Sequence, residues 1–306
     1  MLVLPAPAKL NLYLHITGKR RDGYHLLDTV FQLIDLCDTI RLNSRHDGRI
    51  VLHTPIAGLP DAQHLAVKAA VLLQRHTAAT QGADIWVDKR IPSGAGLGGG
   101  SSDAASTLMG LNHLWGSGLG CAELCRLGLS LGADVPFFCS ALGTAHATGV
   151  GEILTALNTG TLGSSATNNK GFIVVYPGCH VPTPSVFKHS ALHWPQQRKA
   201  CNISSPNVVE TLLSEPFQND LQTPACLIAP PIEAAITWLQ SANQGTLQGV
   251  RMSGSGSAVF AQFAGLEQAK AALVDLQNKP AAPAEQWQIW AVQGLQAHPV
   301  PALLNI

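Results

Sequence analysis

Residues 91–103, Ile-Pro-Ser-Gly-Ala-Gly-Leu-Gly-Gly-Gly-Ser-Ser-Asp, constrain this chain more than any other stretch. Glycines at 94, 96, 98, 99 and 100 let the backbone turn without Cβ clashes and bring its N–H groups close to a ligand. The preceding Ala83-Asp84-Ile85-Trp86-Val87-Asp88 alternates as a half-buried strand does. A helical run, residues 103–111, follows, with Ser101 and Ser102 placed to cap it. Strand, glycine loop and capped helix together aim free N–H groups and the positive end of a helix dipole at one point. That is an anion site, and phosphate is the expected anion.

With 306 residues the chain is long enough for two modest domains or one large one. A 46% hydrophobic and 12% charged composition is that of a globular protein. Zero formal net charge argues against a nucleic-acid-binding surface, so no nucleic-acid partner is expected. Seven cysteines, at 37, 121, 125, 139, 179, 201 and 226, follow no repeating pattern. Three residues, not two, separate Cys121 from Cys125, and no second pair follows, so reduced thiols are expected rather than a zinc site. The start, Met-Leu-Val-Leu-Pro-Ala-Pro, is broken by prolines and has no basic leader, and no apolar run is of membrane-spanning length. A cytoplasmic protein with no membrane partner is expected, either a monomer or a homodimer.

Periodicity gives an α+β chain. Leu10, Leu12 and Leu14 alternate with polar residues as in a strand, and apolar runs at 30–40 and 50–53 add two more. Helical spacing marks 64–80 and 122–130. Residues 158–170 are rich in Gly, Ser, Thr and Asn and read as a linker or long loop. Residues 171–177 then read as a buried strand, and 192–206 as irregular. The pattern 232–242 helix, 259–263 strand, 266–278 helix, 287–292 strand suits a small α+β domain with its helices on one face of a sheet. Residues 280–283 read as a turn. The expected division is 1–157, a linker at 158–170, and 171–306.

Gly94, Gly96 and Gly99 satisfy G-x-G-x-x-G, but no second strand ending in an acidic residue follows as a dinucleotide fold requires. No lysine follows the loop, so the Walker pattern is absent too, as are the protein-kinase motifs. Pro92-x-x-x-Gly-Leu-Gly-Gly-Gly-Ser-Ser instead resembles the central motif of the GHMP kinases, named for galactokinase, homoserine, mevalonate and phosphomevalonate kinases. Two further motifs of that family stand in order: Pro5-Ala6-Pro7-Ala8-Lys9-Leu10-Asn11-Leu12, and residues 251–260, Arg-Met-Ser-Gly-Ser-Gly-Ser-Ala-Val-Phe. The resemblance implies a two-domain fold, with a ribosomal protein S5 domain 2-like N-terminal domain and a ferredoxin-like C-terminal domain. Residues 18–25 (Gly-Lys-Arg-Arg-Asp-Gly-Tyr-His), 131–138 and 182–187 resemble one branch of the family. That branch phosphorylates a small molecule, a cytidine-diphosphate-linked sugar alcohol, from ATP within the non-mevalonate route to isoprenoid precursors.

In that frame Pro92, Ser93, Gly94, Ala95, Gly96, Leu97, Gly98, Gly99, Gly100, Ser101 and Ser102 bind ATP, with Ser101 or Ser102 available to Mg²⁺. No other metal ligand is assigned. Asp134 sits in an apolar passage where an uncompensated carboxylate is costly, and is the candidate base. Lys9 is its candidate partner, keeping it ionised and the acceptor hydroxyl in line. Tyr24, His25 and Phe187 are implied to enclose the cytosine, with Asn11 and Thr183 as polar contacts. Where the branch often has Asn before Leu65, this chain has His64, which is left off the site. His189 and His193 lack a third ligand for a metal.

Overall fold

The computed structural model describes residues 1–56, 58–157, 170–193, 218–242, 248–279 and 285–305. Two sheets carry the α+β architecture. The first has six strands: β1 (Leu2–Lys19), β2 (His25–Arg45), β3 (Ile50–Leu52), β4 (Gly82–Asp88), β5 (Thr144–Gly149) and β6 (Ile153–Ala156). The order is β3-β4-β2-β5-β6, with β1 paired to β2. Strand β2 is the spine. It pairs along its length with β1, while residues 39–45 pair with β4 and residues 27–32 with β5. The second sheet, order β10-β7-β9-β8, is antiparallel throughout: β7 (Gly171–Tyr176), β8 (Gln248–Met252), β9 (Val259–Phe263) and β10 (Gln288–Gln293).

Helices α1 (Leu65–Thr77), α2 (Gly99–Leu114), α3 (Cys121–Leu129) and α4 (Val135–Cys139) cover the first sheet's core. Helix α2 is buried from Ser102 to Asn112, which its small residues allow. At Gly110 any side chain would strike Leu42 and Leu4, at 2.5 and 2.6 Å. Helix α1 begins at His64, whose Nδ1 accepts the Ala66 N–H at 3.2 Å, so an imidazole does the capping work of a side-chain oxygen. Beyond β7 come α5 (Thr183–Phe187), α6 (Gln222–Ile228), α7 (Pro231–Gln240) and α8 (Leu266–Gln277), with α7 and α8 contributing buried residues to the second sheet's core. Helix α9 (Pro299–Leu304) returns to the first core, burying Val300 and Leu304.

A third apolar cluster joins the sheets. Leu10 and Leu12 of β1 meet Phe172 of β7, Phe260 of β9 and Val292 of β10, and Ala95 and Leu97 of the glycine loop share the seam. Isolated bridges Leu14–Asn219 and Ile34–Gly294 add main-chain ties across it.

Helix α2 corrects the expected start of that helix. It begins four residues earlier than residue 103, and Gly98, at φ +73°, is its N-cap, with no side chain capping it. Ser101 and Ser102 therefore lie inside the first turn and are not caps. Serine's capping preference loses because the chain must reverse at Gly98 in the left-handed region, tight against Phe138 and Lys9. Of the expected linker 158–170 only Lys170 falls among the described residues. The turn at 280–283, Cys201 and most of the 192–206 stretch lie outside them. None of the helices found is long and apolar enough to cross a membrane.

Candidate active site

A cleft of about 1110 Å³ opens between the glycine loop, the start of β2, α5 and the 254–256 turn. The loop's sequence alternates, and so does its burial. Gly94, Gly96 and Gly98 line the cleft, while Ala95 and Leu97 between them are buried at 1% exposure in the seam joining the sheets. The apolar residues anchor what the glycines leave open. Main-chain bonds fix this register: Lys9 N–H donates to Leu97 O at 2.9 Å and Ala258 N–H to Ala95 O at 3.0 Å. Ser253 adds a hydroxyl bond to Gly96 O at 3.1 Å. Because no side chain caps α2, its first-turn N–H groups stay available to an anion.

Lys9 and Asn11 are two apart on β1 and so face the same way. Lys9 is buried at 3% exposure, an expensive place for an ammonium, and its surroundings compensate it. Its Nζ donates to Asn11 Oδ1 at 2.5 Å, lies 3.4 Å from Asp134 Oδ2, and sits 5.1 Å from the centre of the Phe31 ring. Asn11 in turn donates its amide to Thr29 Oγ1 at 2.9 Å. Both ends of the Asn11 amide are thus engaged by protein, so the residue expected to touch substrate also holds Lys9 in place. Asp134 precedes α4, whose Val135, Pro136, Phe137 and Phe138 are all buried. That helix clamps the backbone and leaves the Asp134 side chain 33% exposed to the cleft.

At the other end, His25 and Phe187 stack with ring centres 5.1 Å apart and planes 21° apart. Rings this close are in direct contact and admit no base between them. Tyr24 lines the cleft with 64% of its surface exposed. Burial, then the Lys19 charge, lowers the His25 imidazole below its ordinary value. Thr183 bonds Ser255 hydroxyl to hydroxyl at 2.7 Å, tying α5 to the 254–256 turn.

The cleft therefore brings Lys9, Asn11, Tyr24, His25, Asp134, Thr183 and Phe187 together with Gly94, Gly96, Gly98 and Ser101. Pro92, Ser93, Ala95, Leu97, Gly99, Gly100 and Ser102 do not line it. Gly254, Ser255 and Gly256 do, and sequence reasoning left them off the site although their motif was in view. Asn219 holds that turn by donating to Met252 O and Gly254 O at 2.8 and 2.7 Å. Arg251 of the same motif reaches Leu12 O at 2.6 Å, tying β8 to β1. Among the described residues no three His, Cys, Asp or Glu side chains form a metal-binding group.

A GHMP kinases N terminal domain model matches residues 64–141. A 4-diphosphocytidyl-2-C-methyl-D-erythritol kinase of Herminiimonas arsenicoxydans is 44% identical over 302 residues, 98% of this chain and 96% of that protein. The chain belongs to that kinase family. A second member, from Cupriavidus necator, is 44% identical over 300 residues, 98% of this chain and 94% of its own. The crystal structure of a 4-(cytidine 5'-diphospho)-2C-methyl-D-erythritol kinase superposes with a TM-score of 0.76 at 32% identity, covering 96% of this chain and 99% of that one. Homoserine kinase from Cytophaga hutchinsonii, at 14% identity and a TM-score of 0.68, shares the fold, covering 97% and 94% of the two chains.

Proposed function

We propose that this chain transfers the γ-phosphoryl group of ATP to the 2-hydroxyl of 4-diphosphocytidyl-2-C-methyl-D-erythritol, in the non-mevalonate route to isoprenoid precursors. The Lys9–Asp134 pair carries this reading. It stands at 3.4 Å between an open-ended glycine loop and an aromatic pocket, in a chain whose relatives bear that kinase's name.

Phosphoryl transfer asks little covalent chemistry of a protein and much positioning. The loop and the uncapped start of α2 hold the donor phosphates by main-chain N–H groups. Lys9, fixed by Asn11 and Phe31, faces the point where charge builds as the phosphoryl group moves. Asp134 accepts the hydrogen bond of the acceptor hydroxyl and takes its proton as oxygen bonds to phosphorus and ADP leaves. The cytosine packs on Phe187, with His25 stacked beside that ring and Tyr24 at the rim. Lys19 and Lys188 bring positive charge to the same cleft, which suits a diphosphate-linked acceptor.

Mg²⁺ belongs to this proposal. The donor set, a Ser101 hydroxyl on the cleft wall with no group of three metal-binding side chains among the described residues, fits an ion held chiefly by phosphate oxygens. When bound it neutralises phosphate charge.

The test is turnover of ATP with this acceptor beside mevalonate and homoserine. Only the cytidylyl compound is expected to react. Lys9→Ala and Asp134→Asn are each expected to lower kcat by about a thousandfold or more, with binding of an ATP analogue within about threefold of wild type. Near-normal turnover in either variant removes that residue from the chemistry, and turnover of mevalonate or homoserine instead overturns the acceptor.

A further inference from the structure

The glycine loop is held in its middle by β1 and by residues 253–258. Its two ends meet elsewhere, at an ion cluster beneath the start of α2. Lys89, just after β4, extends its Nζ to Asp103 Oδ2 at 2.7 Å and to Asp38 Oδ2. Lys89 precedes the loop and Asp103 follows it, so one ammonium closes residues 90–102 into a ring. Asp38, fully buried on β2, uses its other oxygen to accept the N–H groups of Arg90 and Ile91 at 2.6 and 2.8 Å. A Cβ on Gly99, the first residue of α2, would stand 3.3 Å from Lys89 Nζ, so the ammonium passes directly under the helix start.

Two carboxylates share this one lysine, and Asp103 Oδ1 is buried with no hydrogen-bond partner among the described residues. Such a cluster is a poor source of stability, since desolvating the charges costs about what their pairing returns. It does fix two chain ends and a strand at a single point. The glycines between those ends have little rotational restraint of their own.

The geometry points to Lys89 as a positioning residue for the phosphate donor: by joining Asp38 and Asp103 it fixes both ends of the loop and sets where the loop's N–H groups meet the ATP phosphates. This rests on the loop being the donor site proposed above. The acceptor pocket, built from the start of β2, α5 and the 254–256 turn, does not depend on the staple.

Two variants test it, Lys89→Met and Lys89→Met combined with Asp103→Asn. The second relieves a carboxylate that the first leaves unpaired. Calorimetric titration with the Mg²⁺ complex of a non-hydrolysable ATP analogue, without acceptor, is run beside steady-state kinetics and thermal melting. Lys89→Met is expected to weaken the analogue about tenfold and raise the KM for ATP equally, with the acceptor KM within about twofold. The double variant is expected to regain melting temperature while keeping the weak nucleotide binding. Nucleotide affinity that recovers together with melting temperature overturns the proposal, as does an equal rise in both KM values. Should Lys89→Met not fold, the double variant is compared with wild type on the same measures. If the wild-type protein binds no analogue, the donor-site reading falls and this inference with it. If wild type and Lys89→Met bind it equally, only this inference falls.

Discussion

Gly98 is where the glycine loop, Lys9 and the core press on one residue, and Gly98→Ala measures how tightly. Its φ of +73° lies in the left-handed region, where a Cβ costs about 1 kcal/mol. The added carbon would stand 2.8 and 3.0 Å from Cζ and Cε2 of Phe138 and 3.1 Å from Cγ of Lys9. Phe138 is fully buried and its ring has nowhere to go, so overpacking adds about 1–3 kcal/mol. The sum is about 2–4 kcal/mol, which for a chain of 306 residues lowers the melting temperature by roughly 3–6 °C. Lys9 is the one neighbour with a flexible stem, and relief comes by displacing it. Its ammonium is 3.4 Å from Asp134, and a shift of about 1 Å in such a group costs about a hundredfold in kcat. Gly118→Ala is the control: φ is +68° there as well, but nothing lies within 4 Å of the added carbon. It is expected to cost about 1 kcal/mol and leave kcat unchanged. Calorimetric melting and ADP-release kinetics on both variants decide the matter. Equal losses of stability and equal kcat would refute the idea that the loop is wedged against Lys9.

Phe187→Ala removes the ring that stacks on His25 and is expected to raise the KM for the cytidylyl acceptor about tenfold, with the KM for ATP unchanged. Equal effects on both substrates would argue against a base-binding role. His298, buried at 1% exposure, caps α9 through Nδ1, and burial pushes its imidazole from 6.5 down to about 3. The folded chain thus binds the proton less well than the unfolded one. His298 therefore costs no stability above pH 6.5 and about 1.4 kcal/mol for each unit the pH falls below it, towards 3. His298→Asn keeps a capping acceptor without the proton, so between pH 7.5 and 5 its unfolding free energy is expected to fall about 2 kcal/mol less than wild type's. Parallel urea-unfolding curves across that range would contradict this.

The proximity of two distant charges was legible in the sequence. Lys9 and Asp134, 125 positions apart, were paired by motif, and the fold brings their charges to 3.4 Å. Elements with strong periodicity, such as β9 and α8, fall where alternation and helical spacing put them. Features set by distant partners were not readable. Pro5 and Pro7 broke the N-terminal pattern, yet both lie inside β1, in register with Thr39 and Cys37 of β2. Strand β5, Thr-Ala-His-Ala-Thr-Gly, has little intrinsic strand character and forms because residues 27–32 of β2 offer an open edge. Asn11 was read from its motif as a substrate contact, and only the folded geometry shows that its amide also bonds Lys9 and Thr29. The Lys89 cluster gave no signal at all, since its three members stand at positions 38, 89 and 103 in unrelated elements.

The return of α9 bears on how such a chain is made. Val300 and Leu304 complete the core around α1, α2 and the first sheet, but they are synthesised after every strand of the second sheet. On the ribosome, the core of the half that carries Lys9 and the glycine loop stays incomplete until residues 299–304 have been made. A nascent chain stalled before residue 299 would hold every side chain of the candidate site named above beside a core still lacking those two plugs.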